Sequence, residues 1–261
     1  MPSLHGRRAI VTGASKGLGA GIAAELAARG ARVILSSRSQ ENLRAAVHAI
    51  GPQVEAPPIP IPADVLDPAA AVRLADAARA QLGGLDILVC NAGGPAPGDF
   101  EELNDEDWED AFRLVLLAPI RLIRACLPML RASGSGRIIL LNSISALHPV
   151  KRLLLSNALR PGLIGLARHL SGELAGDGIL VNAISPGFFD TERAREVEQS
   201  IAKRTNRSLE EIRAETQAGI PLRRLGEPQE LGRLVAFLVS TENTYITGQT
   251  IVVDGGMIAA P

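Results

Sequence analysis

Short apolar runs that end in turn residues alternate with stretches in which apolar positions recur every three or four residues. "RRAIVTG" is apolar and closes on glycine, and "GAGIAAELAARG" follows with Ile22 and Leu26 on one helical face and Gly30 as a stop. "ARVILSS" reads as a second strand. "DILVC" (86–90), "RIILLN" (137–142), "ILVNAIS" (179–185) and "TIVVD" (250–254) read as further buried strands. Helical periodicity falls near 40–50, 67–82, 105–131, 157–175 and 227–240. The alternation predicts an α/β fold of the Rossmann type, a doubly wound parallel sheet with helices on both faces. Right-handed crossovers then put the ligand crevice at the carboxyl ends of the strands.

Two segments break the rhythm. "PPIPIPADV" places prolines at 57, 58, 60 and 62. Proline cannot donate to a ladder, so a third strand here belongs at a sheet edge. The stretch 186–226, opened by "SPGFFDT" and rich in charge, is the least regular and is expected to cross the crevice as a substrate lid. No repeat, low-complexity tract or linker divides the chain, and residues 1–261 are expected to form a single domain.

Composition adds limits. Of 261 residues, 46% are hydrophobic and 21% charged, which suffices for a sizeable core. The formal net charge of −1 points to no nucleic-acid or membrane-surface partner. Cys90 and Cys126 both lie in apolar runs, so buried free thiols and a cytoplasmic setting are expected over a disulfide. The opening "MPSLHGRRAIVTGA" lacks the apolar core of a signal peptide, and no run is long enough to span a bilayer.

Candidate chemistry begins in "VTGASKGLG", between the first strand and the first helix. Gly13, Gly17 and Gly19 permit a tight turn and a close backbone approach, and the helix offers free N–H groups to a pyrophosphate. Glycines can also mark a turn and nothing more; the strand-to-helix context favours the phosphate cradle. An NAD site would carry Asp or Glu at the end of the second strand. This chain carries Ser36, Ser37 and Arg38. Arg38 can pair with the 2′-phosphate of NADP, and Lys16 can add a second cation; alternatively both are solvated surface charges.

With these residues in place, the sequence resembles the short-chain dehydrogenase/reductases of the single-domain type, in particular those like 3-oxoacyl-(acyl-carrier-protein) reductase. "TGASKGLG" resembles the family's cofactor loop, which implies nucleotide contacts at Thr12, Gly13, Ser15, Lys16, Gly17, Leu18 and Gly19. "ADV" resembles the adenine-contacting turn, carried by Asp64 and Val65. "CNAGG" resembles the Asn-Ala-Gly motif, carried by Asn91, Ala92 and Gly93. "SPGFFDT" resembles the segment in which Pro186, Gly187 and Thr191 would hold the nicotinamide carboxamide. "PLRRLGEPQEL" and "ITGQTIVVDGG" resemble the C-terminal signature. The resemblance implies an NADP(H)-dependent oxidoreductase acting on a small carbonyl or alcohol, assembled as a homotetramer.

One departure stands out. Family members use an Asn, a Ser and a Tyr-x-x-x-Lys pair. Counted from Trp108 and along the chain, those positions fall on Val115, Ser143, Ser156 and Arg160, so only the serine is kept. Tyrosine has a pKa of about 10, whereas an aliphatic alcohol lies several units higher, at about 1.4 kcal/mol per unit. Ser156 can hydrogen-bond but is a poor proton donor. Arg160 keeps a charge that can hold ribose hydroxyls or steady an oxyanion. Pro161 either opens a helix at Arg160 or kinks one there.

Other proton sources are few. The sole tyrosine, Tyr245, lies by resemblance toward a subunit contact. His148 sits five residues past Ser143 in a loop bordering the substrate, and its pKa range suits acid–base work, although a surface histidine is the commoner case. Asp190 and Glu192 read as solvated, and His5, His48 and His169 have no partner pattern. No metal-ligand spacing occurs. Ser143, Ser156 and Arg160 are therefore the candidate catalytic set, for a carbonyl, 3-oxoacyl-like or quinone substrate that needs little help from a protein acid. The same residues also fit a catalytically silent dinucleotide-binding protein, or lyase or isomerase chemistry on this fold. Finally, Leu159, Leu163, Leu166, Leu170 and Leu174 form a stripe beside Gly162 and Gly165, which suits core packing or a two-fold contact.

Overall fold

Each of the six apolar runs, and the proline-rich segment, becomes a strand in the computed structural model, which describes residues 3–258. The order is β1 (Arg8–Thr12), α1 (Gly17–Ala28), β2 (Arg32–Ser37), α2 (Gln40–Ile50), β3 (Ile59–Pro62), α3 (Ala70–Ala77), β4 (Ile87–Cys90), α4 (Asp105–Phe112), α5 (Ala118–Ala132), β5 (Arg137–Leu141), α6 (Leu154–Leu159), α7 (Pro161–Glu173), β6 (Leu180–Pro186), α8 (Glu192–Thr205), α9 (Leu209–Ala218), α10 (Pro228–Leu238) and β7 (Thr250–Val253). The strands form one parallel sheet ordered β3-β2-β1-β4-β5-β6-β7. The order in which strands are added reverses between the parallel β1 and β4, and the crevice opens at their carboxyl ends. The ends of the expected domain, residues 1–2 and 259–261, lie outside the described residues.

Side-chain alternation builds both faces. Ile10, Ile34, Leu88, Cys90, Ile138, Leu140 and Val181 pack with α3, α5 and α7. Val11, Val33, Leu35, Ile87, Val89, Ile139 and Ile184 pack on the other side with α1, α2 and α10. The proline-rich β3 pairs only with β2, at the edge, where a missing N–H costs least. Cys90 and Cys126 are buried free thiols, as expected. Among the described residues no helix is long and apolar enough to cross a membrane.

Three helical regions differ from the plain periodicity. The expected 105–131 helix is α4 and α5 joined by a π-helical turn over Arg113–Leu117. The expected 157–175 helix is two: α6 ends at Leu159, Arg160 joins the pieces, and Pro161 opens α7, where a missing N–H is harmless. Periodicity does not register that break, because both pieces keep their apolar face inward. Residues 186–226, expected to be irregular, hold α8 and α9. α8 is capped by Thr191 Oγ1, which accepts from Ala194 N, and α9 by a Ser208–Glu211 capping box. Charge on their outer faces masked the pattern.

The leucine stripe of α7 faces the protein's own core. Leu163 and Leu174 are buried, and Leu159, Leu166 and Leu170 pack partly against the same cluster. A Cβ on Gly162 would meet Leu116 at 2.9 Å, while Gly165 has open space.

Candidate active site

The crevice is stitched from β1 and β4. Thr12 Oγ1 donates to Asn91 O at 2.7 Å and accepts from Asn91 N at 3.0 Å. Asn91 Nδ2 donates to Gly13 O at 3.0 Å. Gly13 adopts φ +58°, and a Cβ there would lie 2.7 Å from Asn91 Nδ2; a Cβ on Gly19 would collide with Gly13 O. Any side chain at either position would fill the turn. α1 starts beyond it with no side-chain cap and no acidic residue in its first turn, so Gly17, Leu18 and Gly19 turn free N–H groups and a positive dipole end outward. Ser15 and Lys16 lie on this turn.

The end of β2 carries a buried Ser36, whose Oγ has no protein partner, and a half-buried Ser37. Arg38 is exposed and makes no ion pair with the described residues. Lys16 is different: its Nζ pairs with Glu192 Oε2 at 2.8 Å, and that hydrogen bond raises its pKa. Glu192 is thus engaged. So is Asp190, which binds Arg195 at 3.0 Å and Arg213 at 2.9 Å. Arg195, with Arg213, holds the Asp190 carboxyl below its ordinary range. Glu192 is exposed and Asp190 partly so, in keeping with the expectation that both are solvated, but each also pairs with a cation: Glu192 with Lys16, and Asp190 with Arg195 of α8 and Arg213 of α9.

Asp64 and Val65 follow β3. Asp64 Oδ1 accepts from Leu66 N at 3.0 Å, and Val65 lines a cleft at the carboxyl ends of the strands. Thr12, Asn91, Ala92, Gly93, Val115 and Arg160 line the same cleft. On the far side, Pro186 is buried, Gly187 N donates to Val253 O at 2.9 Å, and Thr191 leans on the glycine turn, its Cβ 3.4 Å from a Cβ built on Gly17.

The four positions of interest divide. Val115 is buried within the π-helical turn and presents hydrocarbon to the cleft. Ser143 is half-buried, and its Oγ accepts from Ser145 N at 3.1 Å. Ser156 is buried on α6, and its carbonyl accepts from Arg160 N at 3.0 Å. Arg160 Nη1 donates to Leu141 O at 3.5 Å, a long bond, and Nε has no protein partner. Burial pushes its pKa down to about 10, which leaves it a cation at neutral pH. It can offer a charge and a donor edge to hydroxyls or to a developing oxyanion, but it is no proton source there.

The rival proton sources are not brought in. His148 is exposed, fixed only by its backbone N–H to Ile144 O at 2.9 Å. Tyr245 is 96% exposed. Among the described residues no group of three or more His, Cys, Asp or Glu could hold a metal. Sequence reasoning passed over Asn142 and Ser185, buried at the strand ends, and Ser145, buried on the turn after β5; each has side-chain atoms without a partner among the described residues. The only available signal was polar residues at inward positions of otherwise apolar strands.

Comparison with known proteins agrees with this geometry. A family model described as enoyl-(acyl carrier protein) reductase matches residues 13–258. The chain is 35% identical over 255 residues to 3-oxoacyl-(acyl-carrier-protein) reductase FabG of Escherichia coli, covering 98% of each chain. It is 32% identical over 251 residues to the NADPH-dependent reductase BacG of Bacillus subtilis, covering 96% of this chain and 97% of that one. The crystal structure of L-sorbose reductase from Gluconobacter frateurii, complexed with NADPH and L-sorbose, superposes with a TM-score of 0.94 at 30% identity over 99% of each chain.

Proposed function

The chain belongs to the short-chain dehydrogenase/reductase family of oxidoreductases, and from that premise we propose that it is an NADP-dependent enzyme that exchanges hydride with a carbonyl/alcohol substrate through a non-standard site. The observation that carries the proposal is the pairing of a built dinucleotide cradle with a missing phenol. Gly13 and Gly19 leave room for a pyrophosphate at the bare start of α1, while Ser156 and Arg160 stand at the Tyr and Lys positions.

NADP over NAD is supported by the unpaired Arg38 and the lack of a carboxylate at the end of β2. The NADPH named with BacG and with L-sorbose reductase supports the same choice. When bound, the reduced dinucleotide supplies the hydride. Ser15 and the N–H groups of Gly17, Leu18 and Gly19 would hold its phosphates over the turn that Thr12 ties to Asn91, and Arg38 its 2′-phosphate. Asp64 and Val65 would border the adenine, Asn91, Ala92 and Gly93 the ribose, and Pro186, Gly187 and Thr191 the carboxamide.

In the reacting region Ser143 donates a hydrogen bond to the substrate oxygen. Arg160 steadies the negative charge that develops on that oxygen and holds ribose hydroxyls. Ser156 orients the substrate without acting as a strong acid. General acid catalysis contributes about a hundred- to ten-thousandfold, so its loss restricts the enzyme to activated carbonyls or quinones and leaves proximity and charge stabilisation in place. We place the enzyme in the cytoplasm as a homotetramer, with 186–226 as the substrate lid.

The test is consumption of NADPH, followed by absorbance, across panels of carbonyls, quinones and alcohols. Turnover of at least one activated substrate is expected. Tight NADPH binding with no oxidation by any panel member would make the protein a silent dinucleotide binder.

A further inference from the structure

Among the described residues, nine buried side-chain nitrogen and oxygen atoms lack a protein hydrogen-bond partner. Five of them belong to four residues around one junction: Asn142 Nδ2 and Oδ1, Ser145 Oγ, Ser185 Oγ and Arg160 Nε. Buried polar groups are nearly always satisfied, and each exception carries the cost of a lost hydrogen bond. A concentration of them in one place therefore marks something that completes them.

The topology brings the four together. Asn142 follows β5 and by alternation shares the face of Ile138 and Leu140, the face that α5 and α7 cover. The register sets Leu141 opposite Ile184, so Asn142 stands level with Ser185 on the next strand, about 4.8 Å away in a parallel ladder. Asn142 N donates to Ile184 O at 2.7 Å, which locks that level. Ser145 rides the 3-10 turn Ile144–Ala146, which packs against both α6 and β6. Arg160 joins α6 to α7, which lies along β6, and its Nη1 reaches Leu141 O. Asn142, Ser145 and Ser185 are 5%, 2% and 0% exposed.

The donor set selects the occupant. Arg160 Nε only donates, the two hydroxyls donate or accept, and the Asn142 amide does both. No carboxylate shares the junction and a guanidinium borders it, so a metal cation is excluded on charge. A water needs two to four polar partners and finds them here.

We propose that this junction is a buried water site, and that its water ties the Arg160 guanidinium to the sheet. Asn142 and Ser185 are then positioning residues, acting through one water on the side chain assigned to the ribose hydroxyls. Arginine at this place is longer and wider than lysine, and its one direct tether is the long bond to Leu141 O. A second tether through Nε fixes the plane of the fork and leaves its outer edge for the cleft. The water site stands on geometry alone; its effect on dinucleotide binding rests on the function proposed above.

Diffraction from crystals of the unliganded protein at atomic resolution tests the site. A water is expected within hydrogen-bond distance of Arg160 Nε and of at least two among the Asn142 amide, Ser145 Oγ and Ser185 Oγ. A dry junction, direct pairing among these groups, or a bound anion in their midst overturns it. A double-mutant cycle on NADPH affinity, read by fluorescence titration, tests the positioning role. Asn142→Leu is expected to weaken binding about tenfold in the natural background and to have almost no effect in an Arg160→Met background. Ser185→Ala, the milder change, should behave alike if Asn142→Leu does not fold. Losses that simply add overturn the role. A protein that binds no dinucleotide at all refutes the proposed function instead, and the diffraction result then decides the site by itself.

Discussion

In the proposed enzyme, single side chains decide which nucleotide binds and how hydride exchange is assisted. Arg38, proposed to hold the 2′-phosphate, makes no ion pair among the described residues, and charge-assisted bonds of this kind are worth about 1.5–3 kcal/mol. Arg38→Ala is therefore expected to raise the dissociation constant for NADPH by roughly ten- to a hundredfold and to leave that for NADH unchanged, by fluorescence titration. Arg160 supplies a pH signature. Burial lowers its pKa to about 10, so it loses its charge as pH rises through that value. The dissociation constant for NADPH should be level between about pH 7 and 9 and climb above pH 10, and this climb should vanish in Arg160→Met. Introducing Tyr and Lys together at the proposed positions, in Ser156→Tyr/Arg160→Lys, should raise kcat/KM for unactivated carbonyls by about a hundredfold or more, the usual worth of a general acid. No gain in steady-state rates would count against the assignment of these two positions.

Elements set how those side chains meet. The β1–α1 turn works because two glycines let the chain fold back on Asn91. Gly19→Ala would drive a methyl into Gly13 O, and overpacking of this kind costs about 1–3 kcal/mol. A lower midpoint in urea and loss of dinucleotide binding are expected together. Across the crevice, α8 holds Lys16 through Glu192. Solvent screens an exposed pair of this kind, so it contributes little to stability. Glu192→Gln should free Lys16 for a phosphate and tighten NADPH binding by no more than about fivefold, with the gain shrinking as salt is added. The break between α6 and α7 was legible as a choice, since Pro161 allows either a start or a kink. The packing chose a start, because Pro161 at the first position of α7 loses no bond that a helix would have made.

At the scale of the molecule, two expectations concern the whole chain. Light scattering after gel filtration should give four times the 27.4 kDa chain mass, as proposed for this family member. Cys90 and Cys126 are buried, and burial pushes the Cys126 thiol up to about 12 and Cys90 higher still. Neither should react with a thiol reagent until the protein unfolds, so labelling should track global unfolding in urea. The fold itself was legible throughout: strand and helix periods are local properties, and six apolar runs with one proline-rich segment leave few other sheets to build. The glycine turn and the edge position of the proline-rich strand were likewise written in neighbouring residues. What the sequence did not disclose depends on residues far apart in the chain. The engagement of Lys16 by Glu192, the two helices hidden by charge in 186–226, and the gathering of Asn142, Ser145, Ser185 and Arg160 each required the sheet to be assembled first. Periodicity records which face a side chain takes, whereas its partner across that face is fixed only by register and packing.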